Sequence, residues 1–197
     1  MSQLSLFSAE ARPSTVADLA GLLCGPGQIV RFGQGDQARL SIVLPDAARA
    51  PAVKAACAEA GITAQAVVTE SGSTAVRTAF RCDLAGLAGT WTRGAVKTVP
   101  REWQLDGRAL RLWALAAGWP DERGGYLLAL DRHAPDTHRP LIAAATRVGL
   151  PPARVGGGAA LRISGARRLQ RLVELVGPLP PRLPIEAWPR YWGRRAG

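Results

Sequence analysis

The sequence predicts a mixed α/β (α+β) chain made of two pseudo-symmetric halves, each with the order αββαββα. Three observations carry this expectation. Helical runs with one apolar face alternate with strand-like runs joined by Gly-rich turns. The order of runs starts again after residues 93–106. A chain of 197 residues, 47% of them hydrophobic, can bury a substantial core, which excludes a disordered protein.

The elements follow in order. Residues 1–14 read as a flexible arm, an apolar cluster followed by a small, polar linker over 8–14. Ser14 or Thr15 opens a helix whose Val16, Leu19, Leu22 and Leu23 share a face, and Gly25-Pro26-Gly27 stops it. Strands over 28–32 and 38–44 flank the turn Gly33-Gln34-Gly35-Asp36. Pro45-Asp46 opens a helix that runs to Gly61, an outer helix that carries Arg49. Strands over 62–70 and 74–81 flank Ser71-Gly72-Ser73, and a short helix near 83–91 completes the first half, residues 15–92. After the linker 93–106 the second half spans 107–185. It holds a helix over 107–117 stopped at Gly118-Trp119-Pro120, a strand over 125–132, a helix over 135–148, a hairpin through 154–156 and 159–164, and a helix over 165–176. Residues 186–197 form a basic aromatic tail.

Charge narrows the partner. Lys plus Arg number 25 against 15 Asp plus Glu, for a net charge of +10, and Lys54 and Lys97 are the only lysines. Such a basic chain is expected to meet a polyanion, and arginine suits phosphate and guanine edges. The arginine bias also fits a GC-rich genome. Eight arginines and two glutamates lie from residue 162 onward. The tail from Trp188 to Arg195 interleaves aromatics with arginines, as a stacking surface does, or as aromatics pinning a tail to a domain do.

Cys24, Cys57 and Cys82 are far apart and odd in number, which argues against a disulfide framework or zinc cluster. His133 and His138 read as surface or capping residues, not a metal pair. No signal-peptide order and no membrane-length apolar run is seen. A reducing cytoplasmic, nucleoid-associated location is expected, with no membrane partner.

The first helix reads Leu19-Ala20-Gly21-Leu22-Leu23-Cys24-Gly25-Pro26-Gly27, and its counterpart Leu110-Arg111-Leu112-Trp113-Ala114-Leu115-Ala116-Ala117-Gly118. The first resembles the LAGLIDADG signature of homing endonucleases. The stretches AVKTVP (95–100), GGYLLALDRHAPDTHRPLIAAATRVGLP (124–151) and LRISGARRLQRLVELVGPLPP (161–181) resemble that family's single-chain members around the second signature. The resemblance covers about residues 15–185. It implies two central helices packed at a pseudo-two-fold axis, a DNA-binding saddle of antiparallel sheets, and a monomer with an internal pseudo-dimer. It also implies a carboxylate at each helix end, holding divalent ions at the scissile phosphates.

Here those two positions are Pro26 and Ala117, neither of which can ligate a metal. No catalytic residue, metal or cofactor is therefore expected. Asp121 and Glu122, with Asp36, are the nearby carboxylates that an active enzyme would need as substitutes. The residues expected to line the saddle and contact nucleic acid are Arg31, Arg39, Gln65, Arg77, Arg123, Arg132, Arg154 and Arg162. Strand alternation sets Arg39, Ser41 and Val43 opposite Leu40, Ile42 and Leu44.

At the N-terminus, Gln3-Leu4-Ser5-Leu6-Phe7 resembles the pentapeptide by which bacterial polymerases and repair proteins bind the sliding clamp. The leading expectation is a catalytically inactive LAGLIDADG-like protein that binds double-stranded DNA and is recruited to replication or repair sites by the clamp. The alternatives are a divergent Mg²⁺-dependent endonuclease and an RNA-binding, maturase-like splicing factor.

Overall fold

The computed structural model describes residues 8–190. A 3₁₀ turn Val16–Leu19 leads into α1 (Ala20–Cys24), both started by a capping box in which Thr15 and Asp18 bond each other's backbone. The chain continues through β1 (Gln28–Phe32) and β2 (Gln37–Val43) to α2 (Ala50–Glu59). It then passes β3 (Ala64–Val68) and β4 (Thr74–Thr78) to reach α3 (Ala85–Trp91). The two-residue strands β5 (Thr92–Arg93) and β6 (Val96–Lys97) make a small hairpin between the halves. The second half runs α4 (Gly107–Ala117), β7 (Gly118–Asp121), β8 (Gly125–Ala129), α5 (His138–Arg147), β9 (Ala153–Val155), β10 (Ala160–Ser164) and α6 (Ala166–Val176).

Both halves have the expected αββαββα order, and their antiparallel sheets share one topology: β1-β2-β4-β3 and β7-β8-β10-β9. The second half carries a strand that the sequence pattern marks as a helix stop. Gly118-Trp119-Pro120 leaves α4 directly as β7, an edge strand, where proline's missing N–H costs no ladder bond. The reach of residues 8–14 also differs. Ser8 and Ala9 are buried, the Ala9 N–H donates to the Leu175 carbonyl, and Arg12 ion-pairs with Asp18 and Asp106. That stretch is packed on the domain and is no flexible linker.

The two central helices are largely apolar because protein surrounds them, with Arg108 and Arg111 the charged residues of the second. All five residues of α1 are buried, as is most of α4, whose N-terminus is capped by the Asp106 carboxylate on the Ala109 N–H at 2.9 Å. They meet through small residues. A Cβ on Gly21 would overlap the Ala109 carbonyl and come within 2.8 Å of the Leu112 Cβ, and one on Gly25 would lie 3.0 Å from the Ala117 Cβ. Only glycine permits this approach. The sheets pack one face on these and the outer helices. In β2 the pleat buries Ala38, Leu40 and Ile42, and in β8 and β10 it buries Tyr126, Leu128, Leu161 and Ile163.

Candidate nucleic-acid interface

The pleat leaves one face of each sheet open, and register fixes what stands there. In the first sheet, Gln28, Ser41, Arg77 and Gln65 form one cross-strand row, and Val30 pairs with Arg39 in the next. In the second, the corresponding row is Trp119, Leu127, Arg162 and Ala153. The open faces therefore present Arg39, Arg77, Gln65 and Arg162, four of the eight residues expected there.

The other four lie elsewhere. Arg31 pairs with Ala38 on the core side of β1, and its guanidinium reaches toward Gly89 of α3. Polarity among apolar neighbours does not fix a side: register puts Val30, not Arg31, on the face of Arg39. Arg154 faces opposite Leu161, also off the open face, and lies against Gly158. Arg123 is exposed in the β7–β8 turn and Arg132 is exposed just past β8. Arg123 borders the cavity that Trp119, Leu127 and Arg162 line.

Aromatic surface accompanies the arginines. Phe32 is 60% exposed, its ring centroid lies 4.9 Å from that of Phe80, and the Arg39 guanidinium sits 4.6 Å over the Phe80 ring. Trp188, by contrast, is buried, donates its indole N–H to the Gly177 carbonyl and carries Arg111 over its ring at 5.1 Å. It pins the chain to the domain and offers no stacking surface. Arg190 donates to the Ile185 carbonyl at 2.9 Å, and residues 191–197 and the Gln3–Phe7 pentapeptide lie outside the described residues.

Between the sheets, the helix ends define the second part of the site. The Lys97 ammonium is buried and donates to the Gly25 and Gly27 carbonyls, each at 2.8 Å, on either side of Pro26. It also lies 2.5 Å from the Asp131 carboxylate, itself buried. Asp131 is held further by the Gln28 amide at 2.6 Å and the His133 backbone N–H at 2.9 Å. Burial lowers the Lys97 ammonium below the usual lysine range, and Asp131 offsets part of this. Burial alone would raise the Asp131 carboxyl, but Lys97, the His133 N–H and Gln28 together hold it below the usual carboxylate range. His138 is buried too, and its Nε2 donates to the Asp131 carbonyl at 2.7 Å, so it is an interior residue rather than a surface one.

The other helix end has the same solution with different residues. Arg49, just before the outer helix α2, is buried and lies against α4. Its guanidinium donates to the Leu115 carbonyl at 2.7 Å and the Gly118 carbonyl at 2.6 Å, on either side of Ala117, with Ala114 at 3.4 Å. A helix C-terminus leaves carbonyls unpaired and carries partial negative charge, so a cation there satisfies both needs. Lys97 and Arg49 thus complete α1 and α4.

These residues do not fit a divalent ion. Pro26 and Ala117 offer no side-chain donor, the neighbouring carbonyls already bond Lys97 and Arg49, and among the described residues no group of three His, Cys, Asp or Glu could hold a metal. The substitute carboxylates are also committed or distant. Asp121 ion-pairs with the Arg162 guanidinium, which also donates to the Arg123 carbonyl at 3.1 Å. Glu122 and Asp36 are exposed in turns. Lys97 and Arg49 are not legible as site residues in the sequence because each joins segments about 70 residues apart. The one available signal is that both are basic residues among apolar neighbours.

No protein-family model matches the chain, and no curated protein matches it by sequence. Solved structures do match in fold. The homing endonuclease I-WcaI, bound to its DNA recognition sequence, aligns over 86% of this chain and 84% of its own, with a TM-score of 0.58 and 11% identity. Full-length DUF199/WhiA from Thermatoga maritima aligns over 90% of this chain at a TM-score of 0.55 and 11% identity, and the chain spans 57% of its length. The N-terminal LAGLIDADG domain of DUF199/WhiA aligns over 83% of this chain and 81% of its own, at 0.52 and 9% identity. The doubled αββαββα order, the paired antiparallel sheets and the central helices packed through Gly21 and Gly25 accordingly give this chain a LAGLIDADG-like fold.

Proposed function

We propose that this chain is a non-catalytic DNA-binding protein. The observation that carries the reading is the pair of basic side chains at the two helix ends. Lys97 bonds the carbonyls flanking Pro26, and Arg49 those flanking Ala117, where metal-dependent cleavage would require carboxylates. The interface retains what binding needs: exposed Arg77, Arg123 and Arg132, the half-exposed Arg39, and apolar side chains on open sheets. The similarly folded I-WcaI is bound to its DNA recognition sequence, which supports duplex DNA as the partner.

A binding panel of duplex, branched and single-stranded DNA and of RNA, with Mg²⁺ or Mn²⁺ present, tests the reading. Duplex is expected to bind best, with an affinity that falls steeply with salt, and to stay intact. Arg77→Ala should weaken duplex binding, whereas Arg139→Ala on the exposed side of α5 should leave it unchanged. Nicking that disappears in Asp121→Ala or Glu122→Ala would overturn it in favour of an endonuclease. A preference for RNA would favour the splicing role.

Recruitment by the sliding clamp is part of the proposal and rests on the Gln3–Phe7 sequence. Leu6 and Phe7 would supply the buried anchors of a short peptide. Replacing both with Ala should abolish capture of the chain by a purified bacterial clamp and leave DNA affinity unchanged. Undiminished capture would sink the clamp arm of the proposal.

A further inference from the structure

We propose that base reading by this chain is one-sided: the first sheet reads base edges and the second does not. The inference deepens the duplex-DNA reading and rests on it. The two open faces are related by the repeated topology, so their rows can be compared position by position. The row Gln28–Ser41–Arg77–Gln65 in the first sheet corresponds to Trp119–Leu127–Arg162–Ala153 in the second. One arginine stands at the same place in both. Everything around it differs.

In the first sheet Arg77 is exposed and flanked by Ser41 and Gln65, and none of the three side chains makes a hydrogen bond among the described residues. Their donors and acceptors are uncommitted. Arginine can bond guanine and glutamine adenine through paired contacts in the major groove, and serine can bond either. Gln37 and Arg39 extend this set along β2. In the second sheet the flanking positions are leucine and alanine, which carry no hydrogen-bonding group. The arginine itself is ion-paired with Asp121 and donates to the Arg123 carbonyl, so its charge is met and its guanidinium is held within the protein. Trp119, 37% exposed, adds apolar surface to that row. Such a face can follow groove shape and touch methyl groups, but it cannot tell most base pairs apart.

The test is selection from a randomised duplex library with the full-length chain. The expected consensus has strong base preference in one contiguous half and little in the other. Arg77→Ala should flatten one position of that half, lowering discrimination there by about 5- to 150-fold, the worth of one good paired contact. Arg162→Ala should leave the consensus unchanged. The triple change Asp121→Asn, Leu127→Ser and Ala153→Gln frees Arg162 and rebuilds the row, and should add preference to the silent half. A consensus with equal preference in both halves, or one that Arg162→Ala flattens and Arg77→Ala does not, overturns the one-sided reading while leaving DNA binding intact. Absence of duplex binding above background would overturn the function proposed above, and this inference with it.

Discussion

Replacing Lys97 with methionine removes one partner of a buried ion pair while filling most of its volume. The Lys97 and Asp131 side chains are 4% and 2% exposed, so neither charge can turn to water when the other is lost. Breaking such a pair by removing one member costs about 3–5 kcal/mol. The Gly25 and Gly27 carbonyls lose their donor as well, within the same total rather than on top of it. At about 2–4 °C per kcal/mol for a chain of this length, the melting temperature should fall by about 6–20 °C.

The pH dependence makes the prediction specific. In the native chain Asp131 has a depressed pKa, so its contribution is present above the unfolded value, about 3.9, and is lost as pH falls through the folded one. Without Lys97, burial is opposed by the His133 N–H and Gln28 alone, and the carboxyl rises above its usual range. A raised pKa gives stability that is present below about 3.9 and declines as pH rises. The gap between native and variant should therefore be widest at neutral pH and close on acidification. Urea denaturation across this range reads the gap directly. Adding Asp131→Asn should recover part of the loss. A loss under about 1 kcal/mol at neutral pH, or an equal loss when Asp131 is already Asn, would show that the pair does not hold the helix end.

Arg49→Ala should cost about 2–4 kcal/mol in the same assay, since three carbonyls at the end of α4 lose a buried charged donor, and Arg49→Lys should recover less than half, because one ammonium cannot span that fan of acceptors. Gly21→Ala should cost about 3 kcal/mol or more, because its methyl would overlap the Ala109 backbone, and the loss would appear in chemical denaturation as a lower midpoint. Burial pushes the Cys57 thiol up to about 12 and raises Cys24 further, while Cys82 is exposed. A thiol reagent should accordingly modify one cysteine, Cys82, in the native chain and all three after unfolding.

Local signals carried most of the fold. The span of α4 was legible to the residue, because Asp106 supplies a cap, Gly118 ends the helix, and the residues between are apolar but for Arg108 and Arg111. β1 was equally plain between Gly27 and the Gly33 turn. β7 was hidden because tryptophan and proline after a helix spell a stop, and only pairing with Tyr126 and Leu128 makes the segment a strand. The site was less legible for a related reason. Arginine number did not distinguish roles, since several arginines finish helices: Arg49 on α4, Arg111 on the Val176 carbonyl of α6, and Arg171 on the Val148 carbonyl after α5. A basic residue that binds carbonyls and one that awaits phosphate look alike in sequence. Only their partners, far along the chain, separate them.

Lys97 also bears on how the two halves depend on each other. It comes from the hairpin between them, completes α1 of the first half, and is neutralised by Asp131 of the second. Arg49 of the first half completes α4 of the second. The hairpin therefore finishes the central helix of the first half, and the first half finishes that of the second. Two copies of the first half, residues 15–92, could not replace the whole chain. The Gly25 and Gly27 carbonyls of both copies would lose the donor they have here, because Lys97 lies beyond residue 92. The repeat is symmetric in topology yet unequal in chemistry: one central helix is finished from the link between the halves and the other from within a half.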